Sequence, residues 1–371
     1  MKKRFLSAFL ALLLTLTALC GCGGLGFSDS FYGDTGTGEQ ETEVVNGLTD
    51  SGFAIHFIDV GQADAALVIC KGKTMLIDGG NKDDSNLIYS YLKKQNITHL
   101  DYVVCTHAHE DHVGGLSGAL TAATVETVLA PVTSYNSAAF RDFVTKTEER
   151  GRQIEVPRAG DRFSLGDATV TVLGPIKEYD ETNDTSIVLR IVYGETSFLF
   201  TGDMERDAEI DLIESGATLK STVLKVGHHG STSSTSYRFL REVAPTFGVI
   251  SVGKGNQYDH PNEDVLSRLR DADVTLYRTD LQGDVICTSD GRNVTFTTNK
   301  NADIQTNPTQ KDTTDSGDLE SGEGEYVGNK NSKVYHLPTC SSLPTEDNRE
   351  YFTSKEGAEE NGYTPCGRCK P

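Results

Sequence analysis

Short apolar runs alternate with amphipathic stretches through the middle of the chain, and polar clusters follow the apolar runs. Residues 53–58, 65–70 and 74–77 predict three successive strands, joined at Asp59-Val60-Gly61-Gln62 and Lys71-Gly72-Lys73. Residues 85–95 predict a helix, because Leu87, Ile88, Tyr91 and Leu92 fall on one face at helical spacing. Further strands are predicted at 103–106, 168–173, 186–192, 197–201, 222–226 and 248–252, with helices at 138–150, 205–215, 235–243 and 261–270. The alternation fills residues 52–299 and predicts a layered α/β domain with its polar clusters at strand ends.

The flanks read differently. Lys2-Lys3-Arg4 and the apolar run 5–19, too short for a comfortable membrane span, predict an export signal over residues 1–22. Leu19-Cys20-Gly21-Cys22 resembles a bacterial lipobox with Cys22 as the lipidated residue; Cys20 fits less well, because bulky Leu19 precedes it. An uncleaved anchor or an ordinary secretory signal is the alternative. The expected location is the outer face of the cytoplasmic membrane, with the chain anchored there as a lipoprotein. Residues 23–51 and the acidic stretch 300–325 hold too few apolar side chains to bury, so they predict a flexible tether and a linker. A net charge of −20 argues against a broad polyanion-binding face, although metal ions can supply positive charge locally. Of eight cysteines, Cys70, Cys105 and Cys287 sit in strand-like runs as expected buried thiols.

Thr106-His107-Ala108-His109-Glu110-Asp111-His112 brings three imidazoles and a carboxylate together within six residues, directly after an apolar run. Residues two apart point away from each other on a helix, so His107, His109, Asp111 and His112 converge only on a loop leaving a strand. Nitrogen and oxygen ligands of this kind suit Zn²⁺, Mn²⁺ or Fe²⁺. Thr201-Gly202-Asp203, Gly227-His228-His229-Gly230-Ser231 and Asp259-His260-Pro261 also follow apolar runs or short strands. A carboxylate just past the run 198–200 is costly unless paired or metal-bound. Six or seven such groups predict two divalent metal ions, Zn or Mn, bridged by a carboxylate.

Taken in order, these clusters together with Asp59-Val60-Gly61-Gln62, Ile77-Asp78-Gly79-Gly80 and Tyr258-Asp259-His260-Pro261 resemble the metallo-β-lactamase fold superfamily. More narrowly, they resemble the extracytoplasmic hydrolase domain of the ComEC type, over residues 53–298. The resemblance implies an αββα sandwich with the site at one edge of its two sheets. It implies His107 and His109 on the first metal, Asp111 and His112 on the second, Asp203 as the bridge and His228 as the last ligand. His229 or His260 would complete the shell or act as general acid, and Asp78 would orient the histidine loop from behind. Asp111, His229 and His260 are thus the candidate catalytic groups.

The chain departs from the superfamily pattern where many members carry a histidine turn. Here Thr182-Asn183-Asp184-Thr185-Ser186 has none, and Asn183 or Asp184 is either an oxygen ligand or ordinary turn chemistry. The departure leans away from β-lactam or thioester hydrolysis and toward a phosphodiester. Lys225, Lys254 and Arg278 are candidate phosphate-steering groups, with plain surface charge as the alternative.

Beyond the linker, residues 326–371 carry His336-x₃-Cys340 and Cys366-x₂-Cys369 in a piece too small to bury a sufficient core. A Cys₃His structural zinc would supply the missing folding energy; export favours a disulfide, but three cysteines leave one unpaired. The segment resembles the zinc domain of the Ada alkylation-repair family, except that His336 stands in place of the first cysteine, so methyl transfer is not expected. DNA contact and protein docking both stay open for it.

Three functions follow as expectations. The first is a membrane-tethered, metal-dependent phosphodiesterase or nuclease acting on DNA, competence-related and working with a DNA-uptake channel. The second is hydrolysis of a small ester, lactone or β-lactam. The third is a catalytically degenerate DNA-uptake binding protein.

Overall fold

The structure, a computed structural model, describes residues 52–308 and 326–371 apart from 339, 341 and 353. The export signal, Cys22, the tether and the acidic stretch 309–325 lie outside the described residues. Among the described residues no helix is long and apolar enough to cross a membrane.

Strands β1 (Phe53–Phe57), β2 (Ala66–Cys70), β3 (Lys73–Ile77), β4 (His99–Val104), β5 (Thr124–Leu129) and β6 (Ile154–Glu155) lie side by side in one sheet. A second sheet holds β7 (Arg162–Leu165), β8 (Ala168–Gly174), β9 (Val188–Tyr193), β10 (Thr196–Phe200), β11 (Val223–Lys225), β12 (Phe247–Ile250) and β13 (Thr275–Arg278). Then β14 (Val285–Ser289) and β15 (Val294–Thr298) return to the first sheet, β14 pairing antiparallel with β1 from Phe53↔Ser289 to Phe57↔Val285.

Period-two alternation sorts the strands' side chains into layers. Ala66 and Val68 face Phe198 and Phe200 between the sheets, while Leu67 and Ile69 face outward. That outer face is covered by Ile88, Leu92, Leu116, Leu120, Phe140 and Phe143 from helices Ser85–Lys94, Leu116–Ala122 and Ala138–Glu149. Behind the second sheet, Leu199, Leu224 and Ile250 pack on Leu212, Phe239, Leu240, Val265 and Leu269 from helices Arg206–Glu214, Tyr237–Val243 and Glu263–Asp271. The layers are therefore αββα, as the resemblance implied.

Two sequence expectations shift. Residues 300–308 are not linker: Thr306 donates to the Leu276 carbonyl at 2.5 Å, and the Asn307 amide donates to the Leu266 carbonyl at 3.0 Å, tying this stretch to the second sheet and its helix. The helix Leu116–Ala122 was not predicted, because Gly114-Gly115 and Gly118 break its apolar period. Those glycines are there for contact. Gly79 N donates to the His112 carbonyl at 2.8 Å and Gly115 N to the Gly80 carbonyl at 3.0 Å, knitting the loop after β3 to the histidine loop.

The last 46 residues form a separate small sheet ordered Arg349–Phe352, Tyr326–Asn329, Val334–His336, Thr364–Pro365, with Tyr335, Phe352, Ala358 and Tyr363 as its core.

A side-chain carbon added at Gly115 would lie 1.9 Å from the Gly79 carbonyl oxygen, which no rotamer relieves. Gly115→Ala is expected to destabilise the domain by about 1–3 kcal/mol, read as a lowered thermal midpoint; an unchanged midpoint would contradict this packing.

Candidate metal centre

Five chain segments end at one edge of the two sheets. The loop after β1 brings Asp64, the loop after β3 Asp78, the loop after β4 His107 to His112, the turn after β10 Asp203, and the turn after β11 His228 and His229. Backbone bonds lock these loops together: Asp64 N donates to the Asp111 carbonyl at 3.1 Å and Gly80 N to the Asp64 carbonyl at 2.8 Å.

Asp111, His112, Asp203 and His229 offer ligand atoms that all lie within 4.8 Å of one another. His112 Nε2 is 3.2 Å from Asp203 Oδ1, and His229 Nε2 is 3.3 Å from Asp111 Oδ2 and 3.6 Å from Asp203 Oδ2. His112 Nε2, His229 Nε2 and Asp203 Oδ1 are buried without a hydrogen-bond partner. Unsatisfied buried polar atoms are rare, and imidazole nitrogens with carboxylate oxygens make a donor set that fits a divalent cation. Beside this group, His107 Nε2 approaches His109 Nδ1 at 3.1 Å and Asp203 Oδ2 at 4.0 Å. Asp203 thus stands between the two groups, where the bridge was expected.

The outward nitrogen of each inner ring is fixed from behind. His112 Nδ1 lies 2.9 Å from Asp78 Oδ2, whose carboxylate also accepts from Thr106 N and Thr106 Oγ1, both at 2.7 Å. His229 Nδ1 lies 3.0 Å from the Ser251 carbonyl and 3.3 Å from Asp64 Oδ1. Carboxylates and carbonyls only accept, so each Nδ1 carries the proton and each Nε2 is turned toward the site.

Burial opposes charge on His112, yet Asp203, Asp78 and Asp111 hold its pKa well above the usual imidazole range. Burial also opposes charge on His229, which Asp203 and Asp64 raise to about 10. Burial pushes Asp203 up, but the His112 and His229 charges win and hold it well below the usual carboxylate range. His107 goes the other way: burial and its neighbour His112 push it well down.

Several sequence expectations are redistributed. The Asp111–His112–Asp203 group is completed by His229, whereas His228 stands at its edge with Nε2 3.7 Å from Asp203 Oδ2. His228 Nδ1 is held instead by Glu205 Oε1 at 3.1 Å and Ser233 Oγ at 3.2 Å. Both histidines adopt left-handed backbone, at φ 48° and 51°, so strand alternation does not carry across the turn and cannot tell which ring points inward. Asp184 is not among the grouped ligand atoms, and its Oδ1 accepts from Glu205 N at 2.8 Å at the start of the helix Arg206–Glu214. Asn183 donates to Glu205 Oε1 at 3.1 Å, and its own Oδ1 is buried without a partner. His260 lies outside the group, its ring 5.7 Å from that of His228 and its Nδ1 3.5 Å from Gln62 Nε2. Lys225 is neither surface charge nor phosphate guide, being buried against Asp64 at 2.9 Å, and Arg278 is paired with Asp280 at 2.7 Å. Lys254 is exposed.

Sequence reasoning missed Asp64, Glu205 and Ser233. Glu205 follows Asp203 by two residues and was legible as a nearby carboxylate, whereas nothing local marks Asp64, whose partner Lys225 is far away in sequence.

In the small C-terminal sheet, His336, Cys340, Cys366 and Cys369 also bring one ligand atom each within 4.8 Å of the others. Both ring nitrogens of His336 are buried without a hydrogen-bond partner, and burial pushes the Cys340 thiol up to about 12. A zinc ion fits this donor set and would draw off the thiol protons. His336 Nε2 faces Asp271 Oδ1 at 3.5 Å, on the helix Glu263–Asp271 of the larger domain. The other oxygen of Asp271 accepts from Tyr237 Oη at 2.9 Å and Asn329 Nδ2 at 3.1 Å.

Known proteins agree with this architecture. Residues 58–254 match the metallo-beta-lactamase superfamily, and the chain belongs to it. Residues 321–371 match the metal binding domain of Ada, so a zinc-binding module follows the hydrolase domain. The chain is 29% identical over 250 residues to ComE operon protein 3 of Bacillus subtilis, covering 62% of this chain and 32% of that protein. It is 32% identical over 232 residues to competence protein ComA of Neisseria gonorrhoeae, covering 62% and 31%. Over 91 residues it is 34% identical to zinc phosphodiesterase ELAC protein 1 of Mus musculus, covering 24% of each. The similarity to competence proteins expected from the motif order therefore holds, although the chain spans about a third of the length of those relatives.

Two predictions follow from these geometries. His229→Ala is expected to lower the metal content of the hydrolase domain and His228→Ala to retain it, measured by elemental analysis of the purified chain; equal loss from both would return His228 to the ligand set. Asp271→Asn is expected to weaken zinc retention by the C-terminal module roughly 10- to 100-fold, read by competition with a chromogenic chelator; unchanged retention would leave Asp271 with a packing role only.

Proposed function

We propose that this metal-dependent hydrolase of the metallo-β-lactamase fold is a phosphodiesterase acting on DNA outside the cell. The observation that carries the reading is the convergence of the buried, unpartnered His112 Nε2, His229 Nε2 and Asp203 Oδ1 with half-buried Asp111, beside His107 and His109. A nitrogen-and-carboxylate site of this shape suits hydrolysis, and the turn where many ester and β-lactam hydrolases carry a histidine reads Thr182-Asn183-Asp184-Thr185-Ser186 here. One relative is named as a competence protein and another as a zinc phosphodiesterase, which supports a nucleic-acid substrate. Lipid at Cys22 would hold the enzyme at the outer face of the cytoplasmic membrane, within reach of a DNA-uptake channel.

Two divalent ions, zinc or manganese, would make water acidic enough to supply hydroxide at neutral pH and would offset charge on the phosphoryl oxygens. The chain's own residues do the rest. His107, His109, Asp111, His112, Asp203 and His229 would hold the ions; Asp78 and Asp64 keep two of those rings in the tautomer that presents Nε2. His228 takes over the role of general acid expected of His229 or His260. Its Nδ1 is held by Glu205 and Ser233, its Nε2 faces the site, and its side chain is 23% exposed, open to a leaving oxygen. Proton transfer by a positioned imidazole contributes roughly 10²- to 10⁴-fold.

With Mn²⁺ or Zn²⁺ the full chain is expected to cleave single- or double-stranded DNA. Asp111→Ala should abolish cleavage, and His228→Ala should lower kcat roughly 10²-fold with metal retained. Turnover of lactones or a chromogenic β-lactam instead of DNA would establish the small-molecule reading. Metal-loaded protein that binds DNA and hydrolyses neither would establish the binding-protein reading.

A further inference from the structure

A second feature of the same edge carries no positive charge. A cavity of about 550 Å³ opens beside Asp111, lined by Gln62, Asn81, Glu110, Asn256, Gln257 and Tyr258. Four of these six carry carboxamides, which offer paired donors and acceptors, and none carries a positive charge. Glu110 and Asp111 face it with carboxylates, so the cavity repels a phosphate and suits a neutral, planar, hydrogen-bonding group.

Tyr258 supplies the platform. It is 56% exposed, unusual for so large a ring, while its inner side leans on the His260 ring at 5.6 Å between centroids and 28° between planes. Exposure here does not mean a loose loop. Asn256 Oδ1 accepts from Tyr258 N at 3.0 Å and from His260 N at 3.1 Å, and Asn256 Nδ2 donates to the carbonyls of Gly253 and His260. Gln62 closes the same loop from the other side, its Oε1 accepting from Gly253 N at 3.1 Å. The aromatic face is therefore held in place before any ligand arrives, which lowers the entropic cost of stacking on it.

We propose that this cavity is a nucleobase subsite: one base stacks on the outer face of Tyr258, beside the carboxamide of Gln257, while Asn256 and Gln62 hold the platform. The subsite deepens the phosphodiesterase reading and rests on it, since the base belongs to the nucleotide whose phosphate lies at the metal ions. Stacking is sequence-tolerant, because every base presents a π face, so it retains any base and rejects a sugar-phosphate without one.

The test is a double-mutant cycle on equilibrium binding to the full chain. An oligodeoxynucleotide carrying 2-aminopurine is compared with the same strand made abasic at one position, for the native chain, Tyr258→Phe and Tyr258→Ala. The native chain and Tyr258→Phe are expected to prefer the intact strand roughly tenfold and to quench the 2-aminopurine. In Tyr258→Ala the preference should collapse toward one and the quenching disappear. A preference that survives in Tyr258→Ala, or no preference in the native chain, overturns the subsite. Cleavage is scored separately: DNA hydrolysis with no base preference keeps the nuclease reading and loses the subsite, and base preference without hydrolysis does the reverse.

Discussion

Buried negative charge is the constraint to which this molecule is built. Asp64, Asp78 and Asp203 are 5%, 1% and 2% exposed at one edge of the sandwich, and an ionised carboxylate taken out of water is costly unless each oxygen is answered. The answers differ. Asp64 has the Lys225 ammonium and the His229 ring, and Asp78 has Thr106 and the His112 ring. Asp203 faces imidazoles only, with one oxygen left without a hydrogen bond. Asp64 Oδ1 also lacks a hydrogen bond, but Asp64 has an ammonium beside it whereas Asp203 has imidazoles alone. Asp64 and Asp78 back the ring nitrogens that face away from the site, while Asp203 stands among the ring nitrogens turned toward it, as the carboxylate ligand of a cation would.

How much of this was legible follows from the same distinction. His107, His109, Asp111 and His112 announce themselves because they are close in sequence and follow a strand, and the strand periods placed Asp203 at a strand end. Asp78 was legible through its motif. Asp64 was not, because its meaning lies in Lys225 and His229, which reach it only once both sheets are assembled. The choice between His228 and His229 was closed to sequence for a different reason. Left-handed backbone at adjacent residues, worth of order 1–3 kcal/mol of strain at each, breaks the alternation that periodicity relies on. The Asn183-Asp184 turn stayed ambiguous, since Asp184 Oδ1 accepts from a helix start and Asn183 Nδ2 donates to Glu205, while Asn183 Oδ1 is buried without a partner.

The C-terminal module repeats the logic in another form. Replacing the first cysteine of the Ada pattern by His336 gives the ligand set a second nitrogen, something a thiolate lacks. That nitrogen faces Asp271, itself buried and raised by burial to about 6, on a helix of the hydrolase domain. Asn329 donates to the same carboxylate, so one acidic side chain joins the zinc module's first strand, its ligand and the larger domain. The departure from the Ada pattern thus exchanges a sulfur for a ring whose second nitrogen makes an interdomain contact.

A chain with net charge −20 has little basis for gathering a polyanion by a broad cationic face, and two of the three basic groups that motif order placed near the site, Lys225 and Arg278, are engaged in ion pairs. On the proposed phosphodiesterase reading, attraction to the substrate would be local. It would come from divalent ions at the bottom of the site and, beside them, from a surface suited to the uncharged part of a nucleotide. The two would recognise different chemistry: cations the phosphate that reacts, and Tyr258 with its neighbouring carboxamide a base. Dividing the task this way lets the rest of the surface stay acidic.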